Sequence, residues 1–352
     1  MIYLEIITLT FLGIALLMVC FIMINLTIRK SRRNKYVKWK LMADLLIRNA
    51  IFSENEYSPD TPFPITARTK KMLSNPYFKR LLTKELLSAK KNISGVSATN
   101  LKKLYIQLHL NENALKKLNN KEWHIKAQAI QELGIMEQKE YLNKIYRLTN
   151  NKNDLVRMEA QTTIVKLYGF KGLRFLDVIS YQLTEWQQIA LLKELSMLPP
   201  ENFTKIEKWL KSKNTSVIAF ALKLTRTYHR FEAYDQVIEC LTHDNEDIRL
   251  EAIYTLEKIY NSNTEDVLLE RYEHETLKNQ KAIVAVMQNI ASDESIPTLI
   301  SFLNQEDNDL KRMIVRTVAH INSSSILQLK ELPTAHNYPL DQIIKQIEGE
   351  IK

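Results

Sequence analysis

Apolar and polar positions recur along this chain on a period near 31 residues. The segments opening at Ile125, Val156, Val217 and Ile248 each carry an apolar first residue and an alanine four positions on: Ala129, Ala160, Ala221 and Ala252. Trp186 with Ala190 fills the gap between the second and third segments, Leu310 with Ile314 resumes the pattern, and a degenerate copy spans Asn279 to Val286. Within each period the spacing predicts two antiparallel helices. In the clearest unit Lys139 to Thr149 is the first, a polar turn over Asn150–Asp154 offers an N-cap, and Leu155 to Leu167 is the second. First helices are expected again at 204–210, 234–241 and 297–303. A fixed period of this length marks an array in which every unit packs on its neighbours. Small residues on the second helices let adjacent units approach.

Upstream the pattern changes character. Ile6 to Ile28 is 23 residues without a charge. As a helix it covers roughly 35 Å, enough for a hydrocarbon core of about 30 Å. Lys38 to Phe52 reads as an amphipathic helix with Leu41, Leu45 and Ile51 on its apolar side. Trp39 suits either a membrane interface or packing on the rest of the protein. Pro59, Pro62 and Pro64 then mark a linker. Pro76 opens a further helix that ends before Gly95, and helices over 98–108 and 111–118 follow. The domain reading is therefore a transmembrane anchor (1–28), a basic juxtamembrane helix (29–52), a Pro-rich linker (53–74), a helical N-terminal cap (75–122), the repeat array (123–330) and a C-terminal cap or tail helix (331–352).

Charge sharpens this division. The formal net charge is +9, but residues 1–122 hold 21 Lys/Arg against 8 Asp/Glu, and the remainder is net −4. Seven cations fall between Arg29 and Lys40, directly after the apolar run. By the positive-inside rule the amino terminus lies outside and everything after residue 28 in the cytoplasm. Arg29, Lys30, Arg32, Arg33, Lys35 and Lys38 are the candidates for contact with anionic lipid headgroups. The slightly acidic array argues against nucleic acid as a partner. Two cysteines, Cys20 and Cys240, exclude a disulfide framework.

The motif over Asp154–Ala160 and Asp247–Ala252, a turn Asp followed by an apolar residue, Arg and Glu-Ala, resembles short HEAT-like repeats of bacterial proteins. That resemblance covers residues 123 to about 325. It implies an all-α fold in which a single N-terminal transmembrane helix precedes a right-handed α-solenoid. Asp154 with Arg157, Asp247 with Arg249, and Asp309 with Arg312 are expected to bridge adjacent repeats as a structural ladder, although exposed pairs contribute only about 0–1 kcal/mol each. The whole layout, including LKKLYIQLHL and KKLNNKEWHIKAQAIQELGIM, is similar to bacterial membrane-anchored HEAT-like repeat proteins. Members of that family are associated with family-2 glycosyltransferases of envelope polysaccharide synthesis. The resemblance implies a location in the cytoplasmic (inner) membrane, with such an enzyme as a candidate partner.

No constellation of catalytic, cofactor-binding or metal-ligating residues stands out. The seven histidines are scattered, Cys240 and His243 supply only two ligands, and no phosphate-binding or nucleophile-elbow motif occurs. Glu273-His274-Glu275 reads as a solvated surface, and Trp123, Trp186 and Trp209 read as packing residues. The leading expectation is a non-enzymatic scaffold or accessory subunit that binds and positions a protein partner. The alternative is a lyase-type HEAT-like repeat enzyme with a site on the concave face.

Overall fold

The computed structural model describes residues 2–53, 62–198 and 206–351. The described residues are helical throughout, with no strand among them. They form two compact units, residues 1–167 and 168–352.

The first unit begins with α1 (Ile2–Ile51), an unbroken helix of 50 residues. It is the one helix among the described residues long and apolar enough to cross a membrane. The anchor and the juxtamembrane helix, expected as separate segments, are therefore continuous. No glycine or proline falls between Arg29 and Val37 to interrupt them, and Arg and Lys are good helix formers. The far end of α1 is built into the unit. Ala43, Ile47 and Ala50 are buried in a cluster with Phe78, Leu82 and Leu86 of α3 (Pro76–Asn92) and Leu101, Leu104 and Tyr105 of α4 (Gly95–Gln107). Trp39 meets Phe78 edge-on at 6.2 Å, so it packs on protein. The small residues face inward because they admit the closest approach; Leu41 and Leu45, expected on the apolar side, are exposed.

Part of the expected 53–74 linker is structured. Its prolines Pro62 and Pro64 flank Phe63, which is buried; the Phe63 N–H donates to Gln107 Oε1 (2.9 Å), and its carbonyl accepts from Gln107 Nε2 (2.8 Å). Thr66 then caps α2 (Ala67–Leu73). Pro59 lies outside the described residues. The Asn75 side chain caps α3, with Pro76 in its first turn. After α5 (Leu110–Leu118), α6 (Trp123–Ile135), α7 (Leu142–Tyr146) and α8 (Asp154–Tyr168) supply the first repeat helices. Tyr105 donates to Glu132 Oε1 at 2.8 Å and Lys117 meets Glu132 Oε2 at 3.0 Å, tying α4 and α5 to α6. Burial, then the Glu132 carboxylate, pushes the Tyr105 phenol far up, so it stays a donor. Gly134 lets α6 and α8 meet: a Cβ there would lie 2.9 Å from Thr163 Cγ2 and Oγ1.

The second unit holds α9 (Glu185–Ser196), α10 (Ile206–Leu210), α11 (Thr215–Tyr228), α12 (Tyr234–Cys240), α13 (Glu246–Ile259), α14 (Thr264–Tyr272), α15 (Leu277–Ile290), α16 (Ile296–Ser301), α17 (Asn308–Ile321), α18 (Ser325–Lys330) and α19 (Leu340–Ile351). The second helices of the repeats pack in chain order, α11 on α13, α13 on α15, α15 on α17 and α17 on α19. The opening positions Val217, Ile248, Asn279 and Leu310 are all buried. Contacts repeat with the sequence: Thr255 Oγ1 donates to Leu222 O (3.2 Å), and Thr317 Oγ1 to Val284 O (3.3 Å). The tail helix α19 buries Leu340, Ile343, Ile344 and Ile347, continuing the same packing on α17.

Candidate interaction site

In the first unit, α6 and α8 leave a cleft between them on one face. It is lined by Trp123, His124, Ala127, Leu155, Met158 and Glu159, among others, and has a volume of about 230 Å³. That is below the roughly 300–1,000 Å³ of small-molecule sites and suits a side chain or two of a docked segment. Trp123 stands at the first turn of α6, 45% exposed, its ring edge-on to His124 at 5.7 Å. Leu155 is exposed in the first turn of α8. Met158 and Glu159 follow one turn on.

Glu159 is the unusual group here. It is half-buried and has no hydrogen bond or ion pair among the described residues. Burial pushes its carboxyl above the ordinary range, and the Lys91 ammonium offsets this only in part. An apolar wall with an indole on the rim and an unpaired carboxylate at the side is chemically matched to an apolar residue with a neighbouring cation.

The packing reading of the tryptophans holds for one of three. Trp209 is buried, its indole N–H donating to Asp177 Oδ1 at 2.8 Å. Trp123 and, in the second unit, Trp186 are exposed, and Ile189 beside the latter is exposed too. Trp123 stands two residues ahead of its opener, Ile125, in the first turn of α6, whereas Trp186, itself expected as an opener, is exposed in the first turn of α9 and the adjacent Gln187 is buried in its place. The register of Trp123 ahead of its opener was readable in the sequence; that of Trp186 was not.

The cations expected at a membrane surface, Arg29, Lys30, Arg32, Arg33, Lys35 and Lys38, are all exposed on α1 directly after the apolar run. Of the expected ladder residues, Asp247 and Arg249 reach the following repeat, while Asp154 and Arg312 make contacts within their own. Arg157 Nη1 donates to the carbonyls of Asn151 (2.8 Å) and Lys152 (3.0 Å), while Asp154 is exposed and accepts from the Leu155 N–H. Arg249 Nη1 makes the equivalent bonds to His243 and Asp244 (2.9 and 3.2 Å), so this arginine braces the turn of its own repeat. Arg249 also reaches forward to Glu275 at 2.9 Å, whereas Asp247 pairs with Lys278 at 2.6 Å. Arg312 sits one position later in its repeat and pairs with Asp309 inside its own helix at 3.4 Å.

Glu275 corrects the solvated reading of 273–275. Its side chain is fully buried and meets Arg249 and, at 3.0 Å, Arg271, while Asn279 Nδ2 donates to it at 2.8 Å. Burial alone would raise its pKa, but the Asn279 amide and the two guanidiniums outweigh it and hold the carboxylate below its ordinary value. The available signal was the i, i+4 spacing of Arg271, Glu275 and Asn279. Cys240 is buried, its thiol pushed up to about 11 by burial and then Glu239. Among the described residues no three His, Cys, Asp or Glu side chains converge as a metal site.

Neither models of known protein families nor curated proteins match the chain. Among solved structures it is similar to an engineered protein (14% identity, TM-score 0.39, covering 79% of this chain and 87% of that one). It is also similar to the complex of CpcE and CpcF of phycocyanin lyase from Nostoc sp. PCC7120 (9% identity, TM-score 0.26, covering 85% and 100%).

Proposed function

We propose that this chain is a non-enzymatic scaffold, tethered by α1 in the cytoplasmic membrane with its amino terminus outside. Its helical units form a right-handed α-solenoid of short HEAT-like repeats in the cytoplasm, and the α6–α8 cleft holds a protein partner. The observation that carries the reading is the pairing of exposed Trp123 with the unpaired, half-buried Glu159 in one small cleft. The occupant is a segment of the partner presenting an apolar residue beside a Lys or Arg, which would complete both the apolar wall and the charge. Aromatic residues in such places are the usual hot spots of an interface. The sequence resemblance directs the search for that partner to a membrane-bound envelope polysaccharide glycosyltransferase.

The test is capture of partners by the full chain from detergent-solubilised membranes. A stoichiometric membrane protein should be recovered, lost on deleting residues 123–352, and depleted about thirty-fold or more by Trp123→Ala, the effect of one hot-spot residue. Met158→Glu, which leaves the tryptophan in place, should deplete it too. Recovery of the same partner by both variants at wild-type levels would refute the cleft as its site.

A further inference from the structure

We propose that the membrane-proximal end of the first unit is itself a lipid-binding surface, formed by α2 and the first turns of α3 and directed at anionic headgroups. This rests on the reading of α1 as a membrane anchor. The direction of α3 relative to α1 carries the placement. Phe78, at the start of α3, meets Trp39, while Ile51, at the other end of the docked stretch, accepts a hydrogen bond from Ser97 at the start of α4. The start of α3 therefore lies toward the apolar run of α1, and the α3–α4 connection lies away from it. Gln107, at the end of α4, returns to Phe63 just ahead of α2, which brings α2 to the same end.

That end is basic. Residues 62–84 contain six Lys/Arg and no Asp or Glu. Arg68, Lys70, Lys71 and Arg80 are exposed, and none has an ion-pair partner among the described residues. Arg80 lies over the exposed Tyr77 ring, 5.7 Å from its centre, an amphipathic pair suited to an interface.

The reach is sufficient. From Ile28 to Trp39 an unbroken helix rises roughly 16 Å. The headgroup layer beyond the hydrocarbon takes up roughly 5–7 Å of this. The remaining gap of about 10 Å is close to one Debye length in physiological salt, and an ordinary helix tilt of about 20° narrows it on one flank. A flexible stalk would let the unit wander out of the field; a continuous helix holds it there.

The full chain carrying Cys20→Ser and Ser74→Cys would be labelled at residue 74 and reconstituted into vesicles. These would be phosphatidylcholine alone or mixed with phosphatidylglycerol, and energy transfer to a headgroup-labelled lipid would be measured. Transfer should be roughly two-fold or more greater in the anionic vesicles and should fall at high salt. In the Arg68→Glu, Lys70→Glu, Lys71→Glu variant it should drop to the neutral-lipid level, although the cations of α1 remain. Alkaline extraction separates the two readings. Protein retained in the bilayer with equal transfer in both lipids, or with transfer unaffected by charge reversal, overturns the lipid-binding surface alone. Protein released by alkali overturns the anchor and the surface together.

Discussion

Two glutamates occupy the same position of the repeat, and only one is ion-paired. Glu251, three residues after the opener Ile248, pairs with Lys223 (3.6 Å) and Arg226 (3.5 Å) on the preceding second helix. Glu159, three residues after Val156, has no such partner, because Gln131 and Gly134 stand where the other unit has Lys223 and Arg226. The neighbouring positions follow suit. At the next junction, between α13 and α15, Asp247 and Lys278 close on each other at 2.6 Å; the equivalent positions of α6 and α8, His124 and Leu155, line an open cleft. The same repeat plan can thus present a face whose charges pair with one another or one that waits for a partner. A few positions decide which, with no change in backbone plan.

The strongest way to break this contrast is to unpair the second unit. Glu275→Ala would leave Arg249 and Arg271, both partly buried, without the fully buried carboxylate that they share. Removing one member of such a cluster costs about 3–5 kcal/mol, so urea unfolding should show a loss of that order. A loss below about 1 kcal/mol would mean that the cluster is effectively solvated. Because Glu275 ionises below its ordinary 4.5 in the fold, its contribution is present above pH 4.5 and is lost as pH falls through the lowered value. The wild-type advantage over the variant should shrink in that acid window. Next in size is Ala252→Leu, at a fully buried alanine between stacked helices, which should overpack the junction by about 1–3 kcal/mol. Leu at this position with unchanged stability would show a gap that the packing of α11, α13 and α15 does not reveal.

The apolar period made the second helices legible from α6 to α17, because burial between stacked helices demands an apolar opener and a small residue one turn later. It also exposed its own exceptions. Asn279 occupies an opener yet is buried, its amide N–H donating to Glu275, four residues back, and to the Glu246 carbonyl. Local spacing does not reveal burial, and so Glu275 read as surface. The inward turn of Ala43 and Ala50 in place of Leu41 and Leu45 was hidden for a related reason: hydrophobicity alone ranks Leu first, while closeness of approach favours Ala. The cleft was half legible. The register of Trp123 and the missing cations at 131 and 134 are in the sequence, but their meaning depends on knowing that Lys223 and Arg226 reach across to Glu251.

The smallest change should reverse the contrast at its origin. Gln131→Lys places a cation where Lys223 stands in the second unit, on an exposed position of α6. It should pair with Glu159, add only about 0.5 kcal/mol of stability, and weaken capture of a partner that brings its own cation. Glu159→Gln separates the two effects by pH. The folded pKa of Glu159 is raised above 4.5, so the carboxyl is neutral in both states at lower pH and imposes no cost there. The cost of its charge appears as pH rises through the raised folded value and is complete above it. The amide variant should therefore match wild type below about pH 4.5. At pH 7 it should be more stable by no more than about 0.5 kcal/mol after solvent screening, while capturing less partner. A residue that weakens the fold and strengthens binding is being kept for the partner. If Glu159→Gln left capture intact at neutral pH, the carboxylate would have no part in recognition, and the cleft would be held by Trp123 and its apolar wall alone.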